Sequence, residues 1–117
     1  MKKLVICKTQ VEGFHRWAEA FDDVVYLRSR HRHVFQIEMG ISVQRNDREV
    51  EIIDTQNKIK SFLFERYGVE SKSNNVFECE FDNMSCEDIA EALCVEFNAY
   101  YVRVTEDGFG GAEVIND

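Results

Sequence analysis

Three histidines, His15, His31 and His33, are the residues of this chain best suited to chemistry, and it contains no others. A neutral imidazole is a common ligand for zinc, and three protein ligands with one open position is the usual arrangement of a catalytic zinc site. His31 and His33 stand two residues apart, and on a strand that spacing puts both rings on one face, within reach of one ion. Their face continues through Phe35, Ile37 and Met39, whereas Arg30 and Arg32 fall on the opposite one. Imidazoles at the head of an apolar face need partners, because burying an unpaired polar ring is costly. His15, in Gly13-Phe14-His15-Arg16, closes the first apolar stretch and supplies a third ligand if that stretch is the neighbouring strand. The spacing alone is met more often by two half-exposed strand histidines without a metal.

Two further groups invite a chemical reading. Residues 28–33 read Arg-Ser-Arg-His-Arg-His, a cationic island in a chain of net charge −8. Such an island can meet a phosphate or carboxylate on a small ligand, or simply form a solvated strand edge. Cys7, Cys79, Cys86 and Cys94 are too widely spaced for a thiolate zinc site or a disulfide scaffold. Three of them fall on apolar stripes and read as small core residues. Cys86 stands at a helix start, where a thiol is either structural or activated by the helix dipole.

The elements that would position these residues follow from periodicity. Leu4 to Phe14 reads as a strand, and residues 18–25 as an irregular connection. His33 to Val43 alternates strictly, with one buried face. Asn46-Asp47 then supplies a turn, and Glu49 to Asp54 reads as a returning strand, making a hairpin. A helix capped by Asp54 or Thr55 carries Ile59, Phe62, Leu63 and Tyr67 inward and ends at Gly68. A polar loop over 70–75 leads to a short strand, Val76 to Phe81. Ser85-Cys86-Glu87-Asp88 opens a second helix in the manner of a capping box, with Ile89, Ala90, Leu93, Cys94 and Phe97 as its apolar stripe. Ala99 to Glu106 and Ala112 to Ile115 are the last strands, joined by a turn over Gly108 to Gly111. The order predicts an α+β fold, a largely antiparallel sheet backed by two helices.

The whole chain bounds what this fold can do. Its 117 residues, 44% hydrophobic and 31% charged, suit one domain over 1–117. The acidic balance argues against nucleic-acid backbones as partners. No apolar run is long enough for a bilayer, and no secretory signal follows Met1-Lys2-Lys3, so a cytoplasmic, non-membrane protein is expected.

Five segments, in order, resemble the 6-pyruvoyl-tetrahydropterin and 6-carboxy-tetrahydropterin synthases. Phe14-His15-Arg16-Trp17 is similar to that family's A-H-R-L strand end, and His31-Arg32-His33-Val34-Phe35 to its H-G-H-N-Y. Val50-Glu51-Ile52-Ile53-Asp54, followed by Ile59-Lys60, resembles M-V-I-D-F-x-x-L-K with one extra residue. Ser85-Cys86-Glu87-Asp88-Ile89-Ala90 resembles T-A-E-N-I-A, and Val102-Arg103-Val104-Thr105-Glu106 resembles V-x-V-x-E-T. The resemblance implies a tunnelling fold: a four-stranded antiparallel sheet with two helices on one face, assembled into a homo-oligomer, usually a hexamer of two stacked trimers. It implies that His15, His31 and His33 bind zinc. It also implies that Glu106 anchors a pterin or purine-like ligand, and a carboxylate accepting two parallel N–H bonds suits a 2-amino-4-oxo pyrimidine edge.

The departures are equally specific. The family's cysteine before H-x-H is missing from Val25-Tyr26-Leu27-Arg28-Ser29-Arg30, and with no fourth histidine the Asp-His proton relay after the first helix is impossible. Asp107 stands where a threonine follows the ring-binding glutamate. The catalytic residue is therefore unassigned, with Tyr26, Asp107 and Glu87 as proton acceptors to consider. Two functions are compatible with this pattern. One is a divergent zinc lyase acting on a pterin or purine-derived, possibly phosphorylated substrate; the other is a non-catalytic zinc protein that sequesters a purine-like nucleotide.

Overall fold

The computed structural model describes residues 1–70 and 77–117. Strand β1, Lys3–His15, and strand β2, His31–Val43, pair antiparallel along their whole lengths, from Lys3 opposite Val43 to His15 opposite His31. A kinked 3-10 turn, Asp22–Arg28, connects them. Helix α1, Ile52–Tyr67, leads into β3, Gly68–Glu70, and then β4, Phe77–Asp82. Helix α2, Cys86–Phe97, precedes β5, Tyr101–Glu106, and β6, Gly110–Ile115. The loop expected over 70–75 and the strand start expected at Val76 lie outside the described residues, apart from Glu70 at the end of β3.

The α+β class holds, but the sheet is not four-stranded and antiparallel. Among the described residues it has six strands in the order β3-β4-β1-β2-β5-β6, and β4 runs parallel to β1. The long hairpin is β1–β2, not β2 with the segment after it. Glu49 to Asp54 does not return as a strand, because Glu51 begins a helix. Its carboxylate accepts from the Asp54 and Ile53 amides at 2.8 and 3.1 Å, placing an acid on the free N–H groups of the first turn. The cap is thus Glu51 rather than Asp54 or Thr55. Glu49 instead accepts from the Gln44 and Arg45 amides at the end of β2.

One face of the sheet carries the core. Cys7 and Val11 on β1, Phe35, Ile37 and Met39 on β2, and Val102 and Val104 on β5 are buried against Ile59 and Leu63 of α1 and Ile89, Ala90, Leu93 and Cys94 of α2. The helices touch through Phe62 and Phe97, whose rings are 6.2 Å apart. Ser85 and Asp88 form the reciprocal capping box at α2. No described helix is long and apolar enough to cross a membrane.

The core face ends at the histidines. On β1 the inward series Cys7, Val11, Gly13 finishes with His15, and on β2 the inward series leading to Phe35 begins with His31 and His33. Full-length pairing of β1 and β2 sets these ends side by side. Gly13 is required there by close packing, since a Cβ would lie 2.7 Å from the Phe81 ring and 3.0 Å from that of Phe35.

Candidate metal centre

The three histidine rings meet at one end of the sheet. Their centroids are 4.6 Å apart for His15 and His31, 4.9 Å for His31 and His33, and 5.2 Å for His15 and His33. One ligand-capable nitrogen from each lies within 4.8 Å of the others. The Phe35 ring forms the floor, edge-on to His15 at 5.2 Å and to His33 at 5.7 Å.

Each ring is held through its other nitrogen. His15 Nδ1 is 2.9 Å from the Met84 carbonyl, His31 Nδ1 is 2.8 Å from the Ser29 carbonyl, and His33 Nδ1 is 2.6 Å from Asp107 Oδ2. Carbonyls and carboxylates accept hydrogen bonds and cannot donate, so all three Nδ1 atoms carry the proton. In the neutral rings every Nε2 is then a lone pair. Outer partners of this kind are what fix the tautomer and aim of metal-bound histidines. Among the described residues His33 Nε2 is buried without a hydrogen-bond donor, the nearest group being Glu106 Oε2 at 3.3 Å. An orphaned acceptor is expensive in a folded protein, and a cation shared with two neighbouring imidazoles would satisfy it. The residues therefore fit a metal ion.

Electrostatics agree with neutral rings at the deepest position. Burial pushes the His15 pKa below its ordinary value of 6.5, against the opposing pull of the Met84 carbonyl and Glu106. Asp107 is held below the usual carboxylate range, first by the Val34 amide and then by His33. It sits at a positive φ of 54° in the Asp-Gly turn between β5 and β6, where its two oxygens reach Val34 N at 2.8 Å and the His33 ring.

A cavity of about 480 Å³ opens beside the triad, lined by His15, His31, Trp17, Met84, Glu87 and Glu106 among others. That volume suits a bicyclic ring with a short side chain. Glu106, the last inward residue of β5, reaches the triad itself: Oε1 is 3.4 Å from His15 Nε2 and Oε2 is 3.3 Å from His33 Nε2.

Other expected residues fall elsewhere. The cationic island is neutralised: Arg28 faces Asp22 at 3.7 Å, Arg30 faces Glu80 at 2.9 Å, and Arg32 pairs with Glu12 at 2.5 Å. Arg30 also covers the Phe14 ring, so these arginines are spent on structure. The Cys86 thiol is not activated by its helix: burial, with Glu106 beside it, pushes its pKa up to about 12. Tyr26 is exposed and does not line the cavity, and Asp107 is committed to His33 and Val34, so of the three expected proton acceptors Glu87 is the one in the cavity lining, with Glu106. Sequence reasoning missed the orienting roles of Met84 and Ser29, which act through backbone carbonyls, and of Asp107. A scan against protein-family models finds no match, and a search of curated proteins finds no significant relative.

Proposed function

We propose that this protein is a divergent zinc protein of the pyruvoyl- and carboxy-tetrahydropterin synthase type, binding a pterin or purine-derived substrate beside its histidine triad. The observation that carries the reading is the convergence of three Nδ1-protonated imidazoles, with their free nitrogens turned to one point at the wall of a cavity. Among divalent ions, zinc suits a set of three imidazoles with a further position to fill. His15, His31 and His33 would hold it, and when bound it supplies Lewis acidity toward substrate oxygens. The chain's own residues do the rest. Glu106 would offer a carboxylate to the ring edge, and Glu87, in the lining of the same cavity, would take the proton. Homo-oligomeric assembly, hexameric by the same resemblance, and a cytoplasmic setting belong to this proposal.

A non-catalytic binder is the second reading, favoured by the state of Cys86. The cysteine nearest the site is protonated and tied to Glu106, so it replaces neither the missing family cysteine nor the missing histidine relay. Incubating the zinc-loaded protein with 7,8-dihydroneopterin triphosphate separates the two. Turnover that disappears in His31→Ala and drops in Glu87→Gln establishes the enzyme. Binding without turnover establishes the binder, and neither binding nor turnover removes the pterin assignment.

A further inference from the structure

Glu106 stands closer to the triad than ring recognition requires. It ends the inward series Val102, Val104, Glu106 on β5, directly across from Phe35 in the sheet register. That register delivers its carboxylate to the same end of the core as the histidines. Its two oxygens are shared out, Oε1 toward His15 Nε2 at 3.4 Å and Oε2 toward His33 Nε2 at 3.3 Å. Neither contact is a hydrogen bond between neutral rings and a carboxylate, because both Nδ1 atoms already hold the ring proton. Lone pairs facing a carboxylate at this distance repel unless positive charge lies among them.

A proton on each Nε2 would make these contacts ion pairs; one cation shared with the triad answers them together with the third ring. Ligands about 2.0–2.1 Å from a tetrahedral zinc ion lie about 3.3–3.4 Å from one another. Each Glu106 oxygen stands at that separation from one imidazole nitrogen, Oε1 from His15 and Oε2 from His33. The three histidine nitrogens lie within 4.8 Å of one another, and the carboxylate supplies the fourth, oxygen, donor that three imidazoles leave wanting. Cys86 Sγ, 3.4 Å from Glu106 Oε1, donates to the carboxylate from the first residue of α2 and holds it in this position. Cys86 is itself buried, so it restrains the carboxylate without opening a path for water.

We infer that Glu106 is the fourth protein ligand of the metal in the ligand-free protein, closing a three-histidine, one-carboxylate site. The inference rests on the metal reading of the triad and goes beyond it. Glu106 is then the group that an incoming ligand must displace. Its carboxylate cannot complete the metal site and accept two N–H bonds from a ring at the same moment. Ring recognition and metal ligation by Glu106 become alternating states of one side chain.

Cobalt(II) titration of the metal-free protein, followed by visible absorption and chelator competition, tests this without reference to activity. The wild type is expected to give the intense absorption of a four-coordinate site and to respond weakly to added azide. Glu106→Gln, which keeps the size of the side chain, is expected to bind cobalt at least about tenfold more weakly, with a shifted spectrum and a stronger azide response. Glu106→Ala should behave alike, with circular dichroism confirming that both variants fold. Unchanged affinity, spectrum and azide response in both variants would overturn the fourth-ligand role and leave the triad standing. No cobalt binding by the wild type would instead remove the metal reading on which it rests.

Discussion

His33 Nδ1 and Asp107 Oδ2 lie 2.6 Å apart, across 74 residues of sequence, and the same carboxylate binds the Val34 amide. One acid thus aims a ring and ties the β5–β6 turn to the start of β2. Asp107→Ala is expected to weaken metal binding by about 10- to 100-fold while the fold persists, measured by competition against a chromophoric chelator. His15 gives a second residue-scale expectation. Its lowered pKa means that, between that value and 6.5, the unfolded chain takes up a proton that the folded chain does not. The stability of the metal-free protein should therefore fall as pH drops through about 6.5 and flatten below the folded-state value. Denaturant titrations across that range check it, and His15→Gln should remove that part of the slope. Strand parity put His31 and His33 on one face, while the inclusion of His15 as a third ligand rested on the segments around it. The holders of the triad were not legible, since Met84 and Ser29 contribute only backbone carbonyls, whose placement follows from turns that no residue type announces.

Among the elements, α2 was readable from its capping box, and its buried stripe follows the expected period except that Phe97 is only partly buried. Ser85→Ala should cost about 1 kcal/mol by removing the cap to Asp88 N, visible as a lower denaturation midpoint. The start of α1 was misread for a physical reason. Val50, Ile52 and Ile53 look like strand residues, yet Ile52 and Ile53 are exposed on the first helical turn, 46% and 64% accessible. What decides the conformation is the Glu51 carboxylate on two amides, with the Thr55 hydroxyl donating to the Glu51 carbonyl at 2.7 Å. Glutamate is not a usual capping residue. Gly13 links the elements to the site. Gly13→Ala would push the Phe35 ring that floors the triad and the Phe81 ring packed on it, at an expected cost of about 1–3 kcal/mol. Metal affinity should fall together with stability in that variant, read by the same denaturation and chelator titrations.

At the scale of the whole molecule, the sheet order explains why distant segments share one site. β1 and β2 bring His15 beside His31, β5 follows on β2 and delivers Glu106, and the turn after β4 supplies Met84. Strand alternation foretold the buried face of β2, while β1 and β5 were read as strands without an assigned face. The parallel docking of β4 on the last residues of β1, with a register shift between Phe14 and His15, depends on long-range packing that alternation does not encode. A metal that joins β1 to β2 binds only the folded chain, so saturation should raise stability by about 2.7 kcal/mol at a hundred times its dissociation constant. A chelator should reverse the gain, and His31→Ala should abolish it. A metal centre built from His15, His31 and His33 is checked by elemental analysis of untagged protein after stripping and restoring zinc. About one zinc per chain is expected, and close to none in His31→Ala; zinc well below one equivalent in the restored wild type would rule the centre out.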